Sequence, residues 1–349
     1  MNDFIEIDYL EVGEKGSGDA ITIRHQLNGI STIYVVDGGY QDDGQKIVDH
    51  IRKYYGRDSI IDHVVLTHPN NDHASGLVMV FNELPVKNLW MNRPWKHVDQ
   101  LMPIFKNYQN RDRLIARLKS DDPKVAELEK LADYRRTNIH GAFQGCNIGM
   151  FTVLSPSIDT YLDLIVQSEK TPKPAQQDTV KYATSTSTAK WDEEILKGDS
   201  EGTSSENETS IVQFAEICGK KILLTGDAGV RALTEAYDVA SSIGLSVHSP
   251  DWFQVPHHGS RRNVSTEVLN KWLGNILPLQ QVISRESAII SANQNDEEHP
   301  KKAVIRAMIH RGREVFQTKG TFWTHTDDAP KRDDFSPATP MSYPKEQEE

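Results

Sequence analysis

Between residues 64 and 73 an apolar run empties directly into a turn rich in metal-capable side chains, which restricts the fold to one whose strand ends meet at an edge. Val64-Val65-Leu66-Thr67 has the character of a buried strand, and His68-Pro69-Asn70-Asn71-Asp72-His73 follows at once, before Gly76-Leu77 opens a helical pattern. A short irregular turn lets alternate side chains converge on one point, and imidazole with carboxylate suits zinc, iron or manganese. The competing reading is a polar strand-to-helix turn, with Asp72 as a helix cap and the histidines in solvent. Two later segments favour the metal. Lys221-Ile222-Leu223-Leu224-Thr225-Gly226-Asp227 delivers a carboxylate at a strand end, and Phe253-Gln254-Val255-Pro256-His257-His258-Gly259-Ser260 delivers a pair of histidines. Ligand types at separate strand ends are what a catalytic site at one edge of a sheet requires.

The rest of the chain follows an α/β or α+β layer pattern, each short apolar strand ending in a polar, Gly-rich break. Strands are expected at 4–12, 20–24, 31–36 and 60–66, with a helix over 45–55 that carries Ile47, Val48, Ile51, Tyr54 and Tyr55 at helical spacing. A second strand block is expected at 210–217, 221–225, 252–255, 287–291 and 314–318, with helices at 229–242 and 266–273. Between the blocks, 98–136 is charged and helical, and Pro103 and Pro123 punctuate it; a helix pair joined near Asp121-Asp122-Pro123 is expected. Residues 157–206 are dominated by Ser, Thr, Lys, Glu and Asp, as in Ala183-Thr184-Ser185-Thr186-Ser187-Thr188, and are expected to form a long, partly disordered loop. One domain is expected over 1–325, followed by a disordered, Pro- and charge-rich tail over 326–349.

Composition sets limits rather than a function. With 37% hydrophobic residues in 349, the chain can bury a sizeable core. Its net charge of -11 gives a surface that repels nucleic acid, so a polyanionic substrate needs a local basic patch or a metal to meet its phosphates. Cys146 and Cys218 are too few for a disulfide framework, and Cys218 reads as a buried free thiol. Met1-Asn2-Asp3-Phe4 shows neither a basic nor an apolar leader region, and no stretch approaches the roughly 18 apolar residues of a membrane span. A cytoplasmic protein without membrane contact is expected.

The order H-x-x-x-D-H, then T-G-D, then V-P-H-H-G-S resembles the metallo-β-lactamase superfamily, and within it the competence-type (ComEC-like) metallo-hydrolase domain. Gly16-Ser17-Gly18-Asp19, Asp37-Gly38-Gly39 and Asn295-Asp296-Glu297-Glu298-His299-Pro300 add to the match, which covers about residues 4 to 325. The resemblance implies an αββα sandwich with one or two divalent metal ions, zinc or manganese, at one edge. It places His68 on the first metal, Asp72 and His73 on the second, Asp227 as the bridging carboxylate, and His257 as the late ligand. His258 is the alternative to His257, and both are retained. The superfamily's usual second histidine is replaced by Asn70, and no middle histidine precedes T-G-D, where Glu206-Asn207-Glu208-Thr209-Ser210 stands. A first position short of nitrogen shifts the expectation toward manganese, or toward one tight ion and one recruited with substrate.

Metal-assisted hydrolysis is the expected chemistry, because a metal can lower the pKa of bound water from about 15.7 toward 7. Asp72 would orient the nucleophile, and His258 or His299 would protonate the leaving oxygen. Asn207, Ser260, Arg261 and Arg262 are candidate substrate contacts, guanidinium pairing bidentately with phosphate; a solvated basic loop is the alternative for the arginines. Trp90, Arg93 and Trp95 could stack a base and hold a phosphate, although edge packing is favoured. His63, His97, His140 and His248 are assigned to structure or surface. A phosphodiesterase or nuclease acting on nucleic acid or a nucleotide is the leading expectation. The alternatives are hydrolysis of a lactam, thioester or lactone, and a non-enzymatic or regulatory module that meets a protein partner through the helical insert 98–136.

Overall fold

The computed structural model describes residues 2–14, 16–105, 108, 110–170, 186–279 and 286–349. Its first sheet is built from β1 (Phe4–Leu10), β2 (Ile21–Leu27), β3 (Ile30–Val36), β4 (Ile61–Val65), β5 (Val86–Trp90) and β6 (Asn138–His140). β7 (Asn147–Ile148) and β8 (Phe151–Ser155) begin the second sheet, and β9 (Thr186–Thr188) lies outside it. β10 (Val212–Ile217), β11 (Lys220–Leu224), β12 (Trp252–Gln254), β13 (Glu286–Ile290) and β14 (Arg313–Gln317) complete it. β15 (Thr321–His325) returns to the first sheet beside β1, and β16 (Glu346–Glu348) pairs with β9.

Alternation along the strands explains the layering. Successive side chains point to opposite faces, and here both faces are apolar. In β4, Val65 joins Ile5, Ile7, Ile222 and Ile289 in the core between the sheets, while Val64 faces the other way. In β11, Ile222 and Leu224 enter that central core and Leu223 turns outward. Each such fully buried side chain stabilises the fold by about 1.5–3 kcal/mol, so neither outer face tolerates water. Helices cover both. α1 (Asp43–His50), α2 (Asn71–Ala74), α3 (Leu77–Glu83), α4 (Val98–Leu101), α5 (Arg111–Asp121), α6 (Pro123–Arg135) and α7 (Ile158–Lys170) precede the second strand block, and all of them contribute residues to the apolar layer outside the first sheet. α8 (Ser205–Glu208) is a short turn of helix; α9 (Val230–Ser242), α10 (Thr266–Leu273) and α11 (Lys302–His310) cover the second sheet. The expected αββα sandwich is what the chain forms.

β3, β4 and β5 run parallel, as do β11, β12, β13 and β14. Asp37 and Thr67 therefore leave the first sheet at carboxyl ends of strands, and Asp227, His257 and Ser291 leave the second in the same way. Ligands of open α/β sheets gather outside such ends.

Several expectations change. The insert is a helix pair as read, α5 ending at Asp121 and α6 starting at Pro123, whose missing N–H suits a first helical turn. The segment 157–206 is not uniformly loop: α7 occupies its start and buries Tyr161, Leu162, Leu164 and Val166. Residues 171–185 of that segment, which include Ala183-Thr184-Ser185, lie outside the described residues. The tail 326–349 is held rather than free. Arg332 donates to Asp8 at 2.6 Å and to Glu6 at 2.7 Å, both buried carboxylates, and β16 closes on β9. Cys218 is half-buried in the β10–β11 turn with φ 49°, not inside a strand. Among the described residues no helix is long and apolar enough to cross a membrane.

Candidate metal centre

The site is assembled from strand ends that lock one another. Gly18 must lack a side chain, since a Cβ there would lie 2.5 Å from the Asp72 carbonyl oxygen. The following Asp19 N–H donates to that same oxygen at 3.2 Å. Gly226 turns the T-G-D segment with φ 51° against Thr67, and its carbonyl accepts from the His257 N–H at 3.2 Å. Gln254 ties the turn to Asp19: its Oε1 accepts from Thr225 N–H at 2.9 Å and its Nε2 donates to Asp19 Oδ2 at 2.8 Å. His257 and His258 hold left-handed backbones, with φ 47° and 55°. Each such non-glycine residue costs about 1 kcal/mol or more and persists only where its surroundings dictate it.

That strain aims both rings at one carboxylate. Asp227 Oδ2 lies 3.7 Å from His68 Nε2 and 3.6 Å from His257 Nε2. Asp227 Oδ1 lies 3.3 Å from His73 Nε2 and 3.8 Å from His258 Nε2. Asp72 Oδ2 closes the second group, 3.7 Å from His73 Nε2 and 3.6 Å from His258 Nε2. Ligand atoms about 2.1 Å from a shared tetrahedral ion stand about 3.4 Å apart, so these separations fit a cation between the atoms better than direct hydrogen bonds. Asp72, His73, Asp227 and His258 together offer ligand atoms all within 4.8 Å of one another.

The other ring nitrogen of every histidine is committed. His73 Nδ1 meets Asp37 Oδ2 at 2.8 Å, and His258 Nδ1 meets the Ser291 carbonyl at 2.9 Å. Thr67 Oγ1 donates to Asp37 at 2.6 Å and so accepts from His68 Nδ1 at 3.1 Å. Asn263 donates its amide to the Asp227 carbonyl at 2.8 Å, which leaves its Oδ1 facing His257 Nδ1 at 2.9 Å. With Nδ1 the donor in His68, His73 and His258, the Nε2 lone pairs of the neutral rings are directed at Asp227. The Nε2 atoms of His68, His73 and His258 and both oxygens of Asp227 have no hydrogen-bond partner although buried. Such groups are costly unless something satisfies them, and histidines held through the far nitrogen are the usual setting of a metal ligand.

Burial, then the neighbouring His73, holds His68 down at about 3. Burial also works against protons on His73 and His258, but the surrounding carboxylates together outweigh it, Asp227 first, then Asp72 with Asp37 for His73 and with Asp19 for His258, lifting His73 well up and His258 to about 9. Asp72 sits at about 2: burial opposes its charge, and His73 and His258 outweigh burial. Burial raises Asp19 to about 6. Without metal, the protons on His73 and His258 neutralise the carboxylates, and a metal must displace them. Binding is therefore expected to release about one proton or more near neutral pH and to weaken as pH falls. Titration calorimetry in buffers of different ionisation enthalpy reads that number; a heat independent of buffer would contradict it.

The choice left open between His257 and His258 falls differently for the two groups: His258 stands with Asp72 and His73, and His257 faces Asp227 beside His68. Each group thus has a pair of imidazoles, and the nitrogen shortage inferred at the first position disappears. Asn70 and Asn207 bond to each other at 3.1 Å, and Asn207 Nδ2 lies 3.1 Å from His257 Nδ1. His258 Nδ1 is held by the Ser291 carbonyl, and its Nε2 faces Asp72 and Asp227 within the cluster. His299 stacks on His257 with ring centroids 5.7 Å apart and lies beside Asp296, at the open side of the cluster. Ser260 is buried and accepts from Arg262 N–H at 3.3 Å. The arginines point elsewhere: Arg261 donates to the Glu349 carbonyl and Arg262 to Glu201, each at 2.9 Å. Trp90 stacks on His140, and Trp95 and Arg93 both bond Glu129, as packing predicts. Asp19 and Asp37 were legible as motif residues but not as members of the cluster, since their partners lie on other strands.

No family model and no curated protein matches the chain. Among solved structures it is similar to the metallo-β-lactamase fold protein YhfI from Bacillus subtilis, at 10% identity and TM-score 0.41, over 93% of this chain and 100% of that one. It is also similar to Zn(2+)-bound PqqB from Methylobacterium extorquens, at 12% identity and TM-score 0.41, over 91% and 99%. Likeness at this level says nothing about activity, and the reading of the site rests on its own geometry.

Proposed function

We propose that the protein is a metal-dependent hydrolase of phosphodiester bonds. The observation that carries the metal is the set of imidazole Nε2 atoms that converge on the two oxygens of Asp227 at 3.3–3.8 Å, with those of His68, His73 and His258 and both carboxylate oxygens buried and lacking a hydrogen-bond partner. His68 and His257 would hold one ion, Asp72, His73 and His258 a second, and Asp227 both. A pair of imidazoles on each side favours zinc over the harder manganese. Bound metal would supply Lewis acidity and a water nucleophile of lowered pKa, as in dinuclear phosphoester hydrolases.

The protein's own groups account for the rest. Asp72, the more open of the carboxylates at 23% side-chain exposure, orients the attacking water. Its oxygen bonds to phosphorus as the bond from phosphorus to the leaving alcohol oxygen breaks. His299, half-buried beside His257, protonates that oxygen and recovers its proton from the water consumed. The competence-type resemblance supports phosphorus as the centre attacked. A degenerate, regulatory site is disfavoured because every histidine of the cluster keeps its orienting partner.

The test is a metal count on purified protein, then turnover of a generic phosphodiester, DNA, RNA and cyclic dinucleotides with zinc, manganese or magnesium. Asp72→Ala is expected to lose at least about 100-fold in kcat while remaining folded. Equal rates in wild type and Asp72→Ala would refute the proposal.

A further inference from the structure

A cavity of about 630 Å³ opens beside the cluster, with His68 and Asn70 in its wall. The helical insert supplies Phe105, Leu118 and Val125, and α7 supplies Tyr161, Leu164 and Ile165. All but the half-buried Ile165 are buried, so the walls are fixed by packing. The volume falls in the range of about 300–1,000 Å³ common for small-molecule sites. The charged residues on its rim are Asp121, Asp122 and Glu206, with no lysine or arginine among the described residues that line it. Asp121 is already paired with Arg117, and Ser168 donates to Glu206 across the wall.

We propose that this cavity receives an uncharged apolar group of the substrate, aryl or branched alkyl, which makes the substrate a small hydrophobic phosphodiester and not a nucleic acid polymer. The proposal rests on the metal-dependent phosphodiesterase reading for the bond that is cut. A polynucleotide brings a further negative charge at every residue, and neutralising those charges takes lysine or arginine. Here the surface next to the reactive centre offers apolar side chains and carboxylates instead. An apolar group gains by leaving water, while the substrate's single charged phosphate stays with the metals. The insert and α7 are then the specificity-determining part of the molecule.

The experiment uses the full chain loaded with zinc, and the variants Ile165→Trp and Ser205→Trp, which fill the cavity from different sides. Binding of the neutral fluorophore N-phenyl-1-naphthylamine is measured first, independent of turnover. Then kcat/KM is compared for bis(4-nitrophenyl) phosphate, methyl 4-nitrophenyl phosphate and a single-stranded oligonucleotide. The wild type is expected to bind the fluorophore, and both variants to bind it at least about tenfold more weakly. The aryl-to-methyl ratio of kcat/KM is expected to fall by about tenfold or more in the variants, as shape rejection in an apolar pocket does. Fluorophore binding that is absent, or equal in all proteins, would overturn the proposal. An unchanged ratio, or an oligonucleotide cut better than the aryl ester, would overturn it too. Binding lost in the variants with no ester turned over by the wild type would instead refute the phosphodiesterase reading and leave the apolar cavity standing.

Discussion

Asp227→Asn is expected to lose metal from both halves of the cluster and to lower kcat/KM by about 10,000-fold, or about 5.5 kcal/mol of barrier. Each oxygen of this carboxylate faces a different pair of histidines, Oδ2 facing His68 and His257 and Oδ1 facing His73 and His258. Asparagine keeps the size of the side chain but presents one neutral oxygen and an amide that cannot ligate. By contrast, His68→Ala touches only one half, so it is expected to remove one ion and leave the other. Metal analysis on gel-filtered protein reads the stoichiometry, and circular dichroism confirms that the variants are folded. An Asp227→Asn protein that retains a full complement of metal would show that the cluster is not the metal site.

Removing the metal with a chelator is expected to reduce unfolding free energy by about 4 kcal/mol, the linkage for an ion present at about 1,000 times its dissociation constant. The reason is where the ligands lie. His68, His73, His258 and Asp227 are all buried, at 4% side-chain exposure or less, with unpaired polar atoms facing one another. Metal satisfies these atoms, and the unfolded chain offers no preformed substitute. Urea denaturation with and without chelator, followed by re-addition of zinc, measures the difference and its reversal. An identical midpoint in both would place the metal, if any, away from this cluster.

Much of the fold and the ligand types was readable from local pattern. Apolar runs with a change of periodicity at Thr67, Thr225 and Val255 marked strand ends, and the side chains just beyond them are those the structure brings together. The boundary between α5 and α6 was equally plain, because proline can only start a helix there. α7 was not, since its 13 residues sit inside a segment whose composition is dominated by Ser, Thr and charge. Averaged over fifty or so residues, one amphipathic helix disappears. The anchoring of the tail is hidden for a related reason: charge at Arg332 suggests solvent until its buried partners, Glu6 and Asp8, more than three hundred residues earlier, are in view.

By itself, then, the sequence determined that strands end in imidazole and carboxylate, because strand propensity and turn chemistry act over a few residues. Which histidine serves which oxygen was decided only by the tertiary structure. The left-handed residues His257 and His258 are held by bonds to Gly226 and Ser291 at the ends of neighbouring strands, and their adjacent rings face different oxygens of Asp227. The pairing of Asn70 with Asn207, and the apolar cavity beside His68, arise in the same way, from segments far apart in the chain packed side by side. No local pattern encodes those contacts, so the ligand types could be read from the chain while their arrangement and the selectivity of the site could not.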